Sequence, residues 1–362
     1  MKTVTEIVGG AQVLLDIAFD VQHCFEEHLN DQQKTFLHML RCIEAYLPLL
    51  RRPYAGTGRP PYQYQPFLRS QLAKCFFQID TTTQLIKRLH ADPNLRLLCG
   101  FTKVPGQASF SRAYSYLAGT EIVPGMLEGL AKETFKDKVV YHICRDSTAI
   151  PARETVVKKT VKKPPKVLQK RKRSPVKQEK PPTPLEEQLT ADPYDSLEKL
   201  NKTCSFGCKK NSQGNISYWK GYKLHLDVSD SGFPVTAIVT AANVHDSMLA
   251  IPLEKITEHR VTFCYSLMDC AYDTRLIAEF IRSRERVAII EPNKRKSKNC
   301  SPLDPAKKER YKIRSTVERA YSHLKDNLIP KALYVKGYPK VAFVLFSAVL
   351  CLAAIKHLQF LC

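Results

Sequence analysis

Between residues 309 and 328 the chain reads ERYKIRSTVERAYSHLKDNL, and four of its side chains, Tyr311, Arg314, Glu318 and Lys325, are of types that handle phosphate. On a single helix advancing about 100° per residue they fall within a sector roughly 60° wide. Ile313, Val317, Ala320, Leu324 and Leu328 take the opposite side and offer an apolar face to a core. Alone, this is an amphipathic helix with a solvated stripe, in which Arg314 and Glu318 form an ordinary i,i+4 pair. Two further carboxylates change the reading. Asp146 comes at the end of KVVYHICRDS (138 to 147) and Asp269 closes VTFCYSLMD (261 to 269), both β-branched and aromatic runs of the kind that form buried strands. Three carboxylates gathered at neighbouring strand ends repel one another unless divalent cations neutralise them. Hard oxygen ligands that hold hydrated Mg²⁺ suit phosphodiester chemistry, since a pair of ions about 3.5 to 4 Å apart stabilises attacking and leaving oxygens together.

The elements that must position these residues follow from the change of period along the chain. Helical spacing runs through residues 7 to 50 and again from Pro66 to Leu117, so residues 1 to about 135 read as an all-helical, basic domain. After the strand at 138 to 147, strands are expected at 216 to 228, 235 to 243 and 287 to 290 as well as 261 to 269. The turn sequence SDSG pairs the second and third strands as a hairpin, and helices are expected near 247 to 256 and 274 to 284. Three hairpin-like strands followed by strand, helix, strand and helix is the order of the ribonuclease H-like fold, an α/β arrangement with a mixed five-stranded sheet flanked by helices. The domains expected are therefore 1–135, helical, basic and suited to DNA binding; 136–150 with 216–362, ribonuclease H-like; and 151–215, a basic, Pro-rich, disordered insertion. Arg153 to Pro184 holds twelve Lys and Arg against two Glu, with six prolines, and is expected to be disordered or extended.

At 362 residues and 44% hydrophobic the chain can bury a large core, and 56 Lys and Arg against 35 Asp and Glu give a formal charge of +21. That balance favours a polyanionic partner, nucleic acid first. The most apolar stretch, Val341 to Ala354, is shorter than the roughly 20 residues of a membrane span and reads as a buried helix. No membrane association is expected. Twelve cysteines are scattered, and Cys204 and Cys208 have no second pair at zinc-site spacing, so reduced thiols in a cytosolic protein are expected. The KRKR cluster at 170 to 173 reads as part of a phosphate-attracted insertion rather than a signal.

The spacing Y-(2)-R-(3)-E-(6)-K, here Tyr311, Arg314, Glu318 and Lys325, resembles the signature of the insertion-sequence 4 group of bacterial DDE transposases. YWKGYKLHLDVSDSGFPVTAIVTAANVHDS is similar to the second and third strand region of such enzymes, and LMDCAYD to their block around the second aspartate, with Ala271 in place of the usual glycine. The resemblance implies a metal-binding triad of Asp146, Asp269 and Glu318, served by two Mg²⁺ ions with Mn²⁺ as a substitute. It implies DNA contacts from Tyr311, Arg314 and Lys325. The implied activity is cutting at terminal inverted repeats and joining of the 3′-hydroxyl ends to target DNA, on double-stranded DNA, by a homodimer in a prokaryotic cytoplasm at the nucleoid. A metal nuclease without strand transfer and a transposase-derived DNA-binding protein without catalysis are the alternatives. Asp273, Asp246 and Asp227 are rival carboxylates; Asp246 is expected to cap the helix that follows it, and His245 to be structural. Trp219, the only tryptophan, is read as strand packing outside the site.

Overall fold

The computed structural model describes residues 28–48, 56, 61–156, 182–210, 214–293 and 303–361. The helical spacing before residue 28, residues 49–55 and 57–60, the basic tract 157–181 with its KRKR cluster, and residues 211–213 and 294–302 lie outside the described residues.

Six helices come first: α1 (Asp31–Glu44), α2 (Tyr64–Phe76), α3 (Thr82–Ala91), α4 (Pro93–Leu98), α5 (Gln107–Leu117) and α6 (Ile122–Thr134). Their starts follow local chemistry. Asn30 and Gln33 form a reciprocal capping box at α1, and Thr81 with Gln84 forms another at α3, each satisfying two donors that a helix start leaves open. Apolar residues spaced around one face of α1, namely Phe36, Met39, Leu40 and Ile43, are buried.

The sheet contains β1 (Val140–Pro151), β2 (Ser205–Lys210), β3 (Ile216–Ser229), β4 (Pro234–Ala241), β5 (Phe263–Met268) and β6 (Val287–Ile290). β1 pairs antiparallel with β3 and parallel with β5, β3 pairs antiparallel with β4, and β5 pairs parallel with β6. The resulting order β4-β3-β1-β5-β6 is the ribonuclease H-like core, as expected from the strand sequence. The β3–β4 hairpin closes at Gly232, whose positive φ of 86° suits a residue without a Cβ. The remaining helices are α7 (Pro184–Thr190), α8 (Pro193–Glu198), α9 (Ala250–Glu258), α10 (Arg275–Ser283), α11 (Pro305–Tyr311), α12 (Ser315–His323) and α13 (Tyr338–Leu361).

Three expectations are corrected. The first strand does not end at Ser147: Thr148 to Pro151 continue opposite Leu224 to Gly221 of β3, and this distant partner extends the ladder beyond the apolar run. Part of the span assigned to the insertion is ordered. Lys255 Nζ donates to the carbonyls of Gln188, Leu189 and Ala191 at 2.7 to 3.0 Å, tying the end of α7 to α9, and Ser205–Lys210 adds a sixth strand to β3. Finally, residues 309 to 328 are not one regular helix. α11 gives way to a 3₁₀ turn at Lys312–Arg314, α12 follows, and Leu324–Leu328 widens into a π turn. The apolar face nevertheless anchors as expected, with Val317, Ala320, Leu324 and Leu328 buried.

α13 is the one helix among the described residues that is long and apolar enough to cross a membrane. Most of Val341 to Ala354 is instead buried in the protein, against α1, α2, α6 and β4. The helical layer and the sheet thereby share one continuous core. All nine cysteines among the described residues are free thiols.

Beneath the sheet, Arg145 is completely buried. Its guanidinium donates to both carboxylate oxygens of Asp227 at 2.7 Å, to Glu254 at 3.0 Å and to the Ala250 carbonyl at 2.9 Å. Arg286 and Ser266 complete the partners of Glu254, and Thr257 donates to Asp227 at 2.7 Å. Burial works against the Arg145 charge, but Asp227 and Glu254 outweigh it and raise its pKa. Asp227 is therefore a structural carboxylate and not a metal ligand. Breaking such a buried pair by removing one partner costs about 3 to 5 kcal/mol. Arg145→Met should lose stability on that scale in denaturant melts, and Arg145→Met with Asp227→Leu should recover part of it because Arg286 still pairs Glu254; an unchanged melt for the single variant would contradict this role.

Candidate active site

The parallel pairing of β1 and β5 ends with Cys144 opposite Leu267. Two residues further along each strand stand Asp146 and Asp269, which places both at one level of the sheet. The parallel pairing of β5 and β6 ends with Met268 opposite Ile290, so Asp269 and Glu291 are next to each other in the same row. Strand alternation does the rest: with Arg145 directed into the buried network, Asp146 takes the other face. That face is covered by α12, where the Tyr321 hydroxyl donates to the Asp146 carbonyl at 2.6 Å and to the Leu224 carbonyl at 3.1 Å. Asp269 caps the short 3₁₀ turn Cys270–Tyr272 by accepting from the Ala271 amide at 3.0 Å. Ala271 is not in the positive-φ region, so the turn has no need of a glycine there.

Asp146, Asp269, Asp246, Glu291, Lys223 and Lys325 line one open cleft of about 690 Å³. Burial raises the pKa of Asp146; Asp269 adds to the rise, while Arg314 and the Ser147 amide oppose it. Burial likewise raises that of Asp269, with Asp246 and Glu291 adding to the effect. Ionisation of these two acids is therefore less favourable in the folded chain than in water. Asp246 differs. Burial pushes it up, but His225 and Lys223 outweigh burial and lower it, and Lys223 Nζ lies 2.9 Å from its oxygen. It is not the helix cap: that role falls to His245, whose Nδ1 accepts from the Ser247 amide at 3.3 Å. Asp273 accepts from the Asn293 amide at 2.8 Å and fastens the segment after β6.

Glu318 stands apart from this pair. Its side chain is 57% exposed, and Arg314 Nη2 holds it at 2.7 Å while Arg314 Nη1 holds Asp146 at 3.1 Å. Among the described residues, no three His, Cys, Asp or Glu side chains converge closely enough to hold one metal ion. Two of the expected acids share the cleft, and the third is joined to it through a guanidinium. The phenol of Tyr311 donates to Glu291 at 3.3 Å, its ring lies 5.8 Å from the Arg314 guanidinium carbon, and burial raises its pKa. Lys325, on the π turn, reaches the same cleft.

The sequence reading missed Glu291 and Lys223 and placed Trp219 outside the site. Glu291 follows β6 as Asp269 follows β5, so the strand-end rule that found one carboxylate was sufficient for the other. Trp219 does pack on its strand, as expected, yet it also lines the cleft.

Residues 141–353, more than half of the chain, match the family described as Transposase DDE domain, and residues 24–115 match Transposase domain (DUF772). No curated protein and no solved structure matches the chain.

The raised carboxylates have a consequence for stability. The folded chain binds protons at Asp146 and Asp269 more tightly than the unfolded chain does, so their ionisation, as pH rises through the raised values, removes stability. Asp269→Asn, which keeps the cap acceptor, should melt at a higher temperature than the native chain at pH 7 in metal-free buffer. The difference should shrink as pH falls through the carboxylate range; thermal scans from pH 4 to 8 check it, and a lower melting temperature at pH 7 would contradict it.

Proposed function

The chain belongs to the DDE transposase family, and on that premise we propose that it cuts DNA at the terminal inverted repeats of its element and joins the freed 3′-hydroxyl ends to target DNA. The observation that carries the proposal is the level row of Asp146 and Asp269 in one cleft, with Glu318 joined to Asp146 through Arg314. The spacing of Tyr311, Arg314, Glu318 and Lys325 supports placement in the insertion-sequence 4 group.

The two cleft aspartates offer hard oxygen donors of the kind that divalent metals take. Asp146 and Asp269 are hard oxygen donors in one cleft whose pKa values are raised by burial, a shift that a bound cation would oppose. Asp146, Asp269 and Glu318 are the residues that would hold it. Two Mg²⁺ ions held there, or Mn²⁺ in their place, would supply charge neutralisation for in-line displacement at a phosphate.

The chain's own side chains carry the other tasks. Arg314 is the counter-charge of Asp146 and Glu318, and its guanidinium has the paired donors that would suit a DNA phosphate beside them. Lys325 adds a second phosphate contact from the π turn. Tyr311 offers a hydroxyl donor to the backbone beside the cut. The surplus of Lys and Arg draws DNA to the chain, and the α1–α6 layer contributes to end recognition. Pairing two ends calls for a homodimer, and the substrate locates the protein at the nucleoid in the cytoplasm.

Glu318→Gln should abolish strand cleavage while binding of inverted-repeat DNA persists; Mg²⁺-dependent cleavage by this variant would defeat the assignment. A pre-cut end bearing a 3′-hydroxyl should give joined product with the native chain, whereas a plain nuclease gives none. Mg²⁺ at about 100 times its dissociation constant should add about 2.7 kcal/mol to the unfolding free energy, and Asp146→Asn should lose most of that gain, which reads metal binding without reference to activity.

A further inference from the structure

A second cavity, of about 210 Å³, shares no lining residue with the acidic cleft and lies at the seam between the helical layer and the chain that leads into α13. Gln71 and Lys74 of α2 line it, with Asp80 just before α3. Leu333, Val335 and Val344 supply an apolar wall. That wall is tied to the end of β1: Leu333 forms a bridge with Ala152, and the Arg153 guanidinium carbon lies 5.0 Å from the centre of the Tyr334 ring. The space exceeds the roughly 150 Å³ of a cavity that admits benzene, so it is large enough for a small organic molecule.

The polar groups around this space are short of partners. Lys74 is only 6% exposed, and a lysine is almost never taken so far out of water unless it is paired. Its ammonium lies 5.9 Å from the centre of the Tyr114 ring and, among the described residues, forms no hydrogen bond or ion pair. Burial lowers its pKa, with Cys75 and Asp80 opposing the fall. Asp80, half-buried on the same cavity, likewise makes no ion pair among the described residues. An ammonium and a carboxylate that share a cavity without pairing leave each charge open to a third body. Gln71 is 1% exposed; its Nε2 donates to Cys75 Sγ at 3.8 Å, and its Oε1 has no donor among the described residues. Gln107, the first residue of α5, also lines the cavity, and Gly106 gives that helix start no side-chain cap, so its positive end adds to the field of Lys74.

We propose that this cavity binds a free amino acid with an apolar side chain, its carboxylate on the Lys74 ammonium, its own ammonium on Asp80, and its side chain against Leu333, Val335 and Val344. A simple anion would meet Lys74, but it would face the Asp80 carboxylate and bring no donor for Gln71 Oε1. A simple amine would meet Asp80 and leave Lys74 unpaired. A duplex backbone does not reach an ammonium buried to this degree, so the occupant is a small molecule. Once bound, it ties α2 and the start of α3 to the segment that precedes α13, and the reading of the acidic cleft does not enter.

The full chain is titrated in a calorimeter with leucine, with isocaproate, which is leucine without its ammonium, and with isoamylamine, which is leucine without its carboxylate. Leucine should saturate one site per chain, and each truncated analogue should bind at least about tenfold more weakly, the scale of one hydrogen bond to a charged group. Lys74→Met should weaken leucine binding by at least about the same factor. Asp80→Asn should bind leucine no better than isocaproate. Absence of saturable leucine binding, isocaproate as tight as leucine on the native chain, or native leucine affinity in Lys74→Met overturns the proposal. Displacement of leucine by an equal concentration of inorganic phosphate marks a plain anion seat and overturns it as well. Should Lys74→Met fail to fold, the comparison of leucine with isocaproate on the native chain and on Asp80→Asn decides the matter.

Discussion

The buried guanidinium of Arg145 is the constraint on which the site depends. A guanidinium out of water is tolerable only when its donors are met, and here Asp227, Glu254 and the Ala250 carbonyl meet them. Those partners come from β3 and α9, so one side chain clamps the central strand to its neighbour and to the helix behind it. A shift of β1 by one residue would put Asp146 in place of Arg145 among carboxylates, and every strand residue would change face. The pleat of β1 is thus fixed by charge, and the orientation of Asp146 follows from it.

From that fixed point the acids take different fates although all are carboxylates. Asp227, facing Arg145, is spent on structure. Asp246 is balanced by Lys223 and His225, with the lysine in contact. Asp146 and Asp269 are under-compensated, and their row is continued by Glu291. Arg314 then joins the sheet to the helix that carries Glu318. The arrangement is internally tense around the cleft and satisfied away from it, a distribution expected where binding energy is to be gained from a cation or a polyanion.

Much of this was legible in the residues. Apolar runs ending in an acid located β1 and β5, and the order of strands gave the fold, because both depend on local pattern. What escaped depends on distant partners. Thr148 to Pro151 fell beyond the expected strand, since nothing local says that β3 extends far enough to pair with them. Ser205–Lys210 was hidden behind a basic tract whose composition dominated its neighbourhood. The regular wheel drawn through residues 309 to 328 placed Glu318 and Lys325 on a shared stripe, but a 3₁₀ turn and a π turn alter the rotation, and only Lys325 enters the cleft. The contrast between Asp227 and Asp146 could not be read from sequence either, because it is made by Arg145 choosing one face.

The long apolar helix α13 sets a timetable. It lies between the early helices α1, α2 and α6 and the strand β4, so contacts made by residues near 30 to 130 are completed by residues near 340 to 354. During synthesis the helical layer therefore waits, with apolar faces uncovered, until almost the whole chain has been made. A chain cut short before α13 leaves those apolar faces uncovered, so the helical layer is completed only together with the sheet.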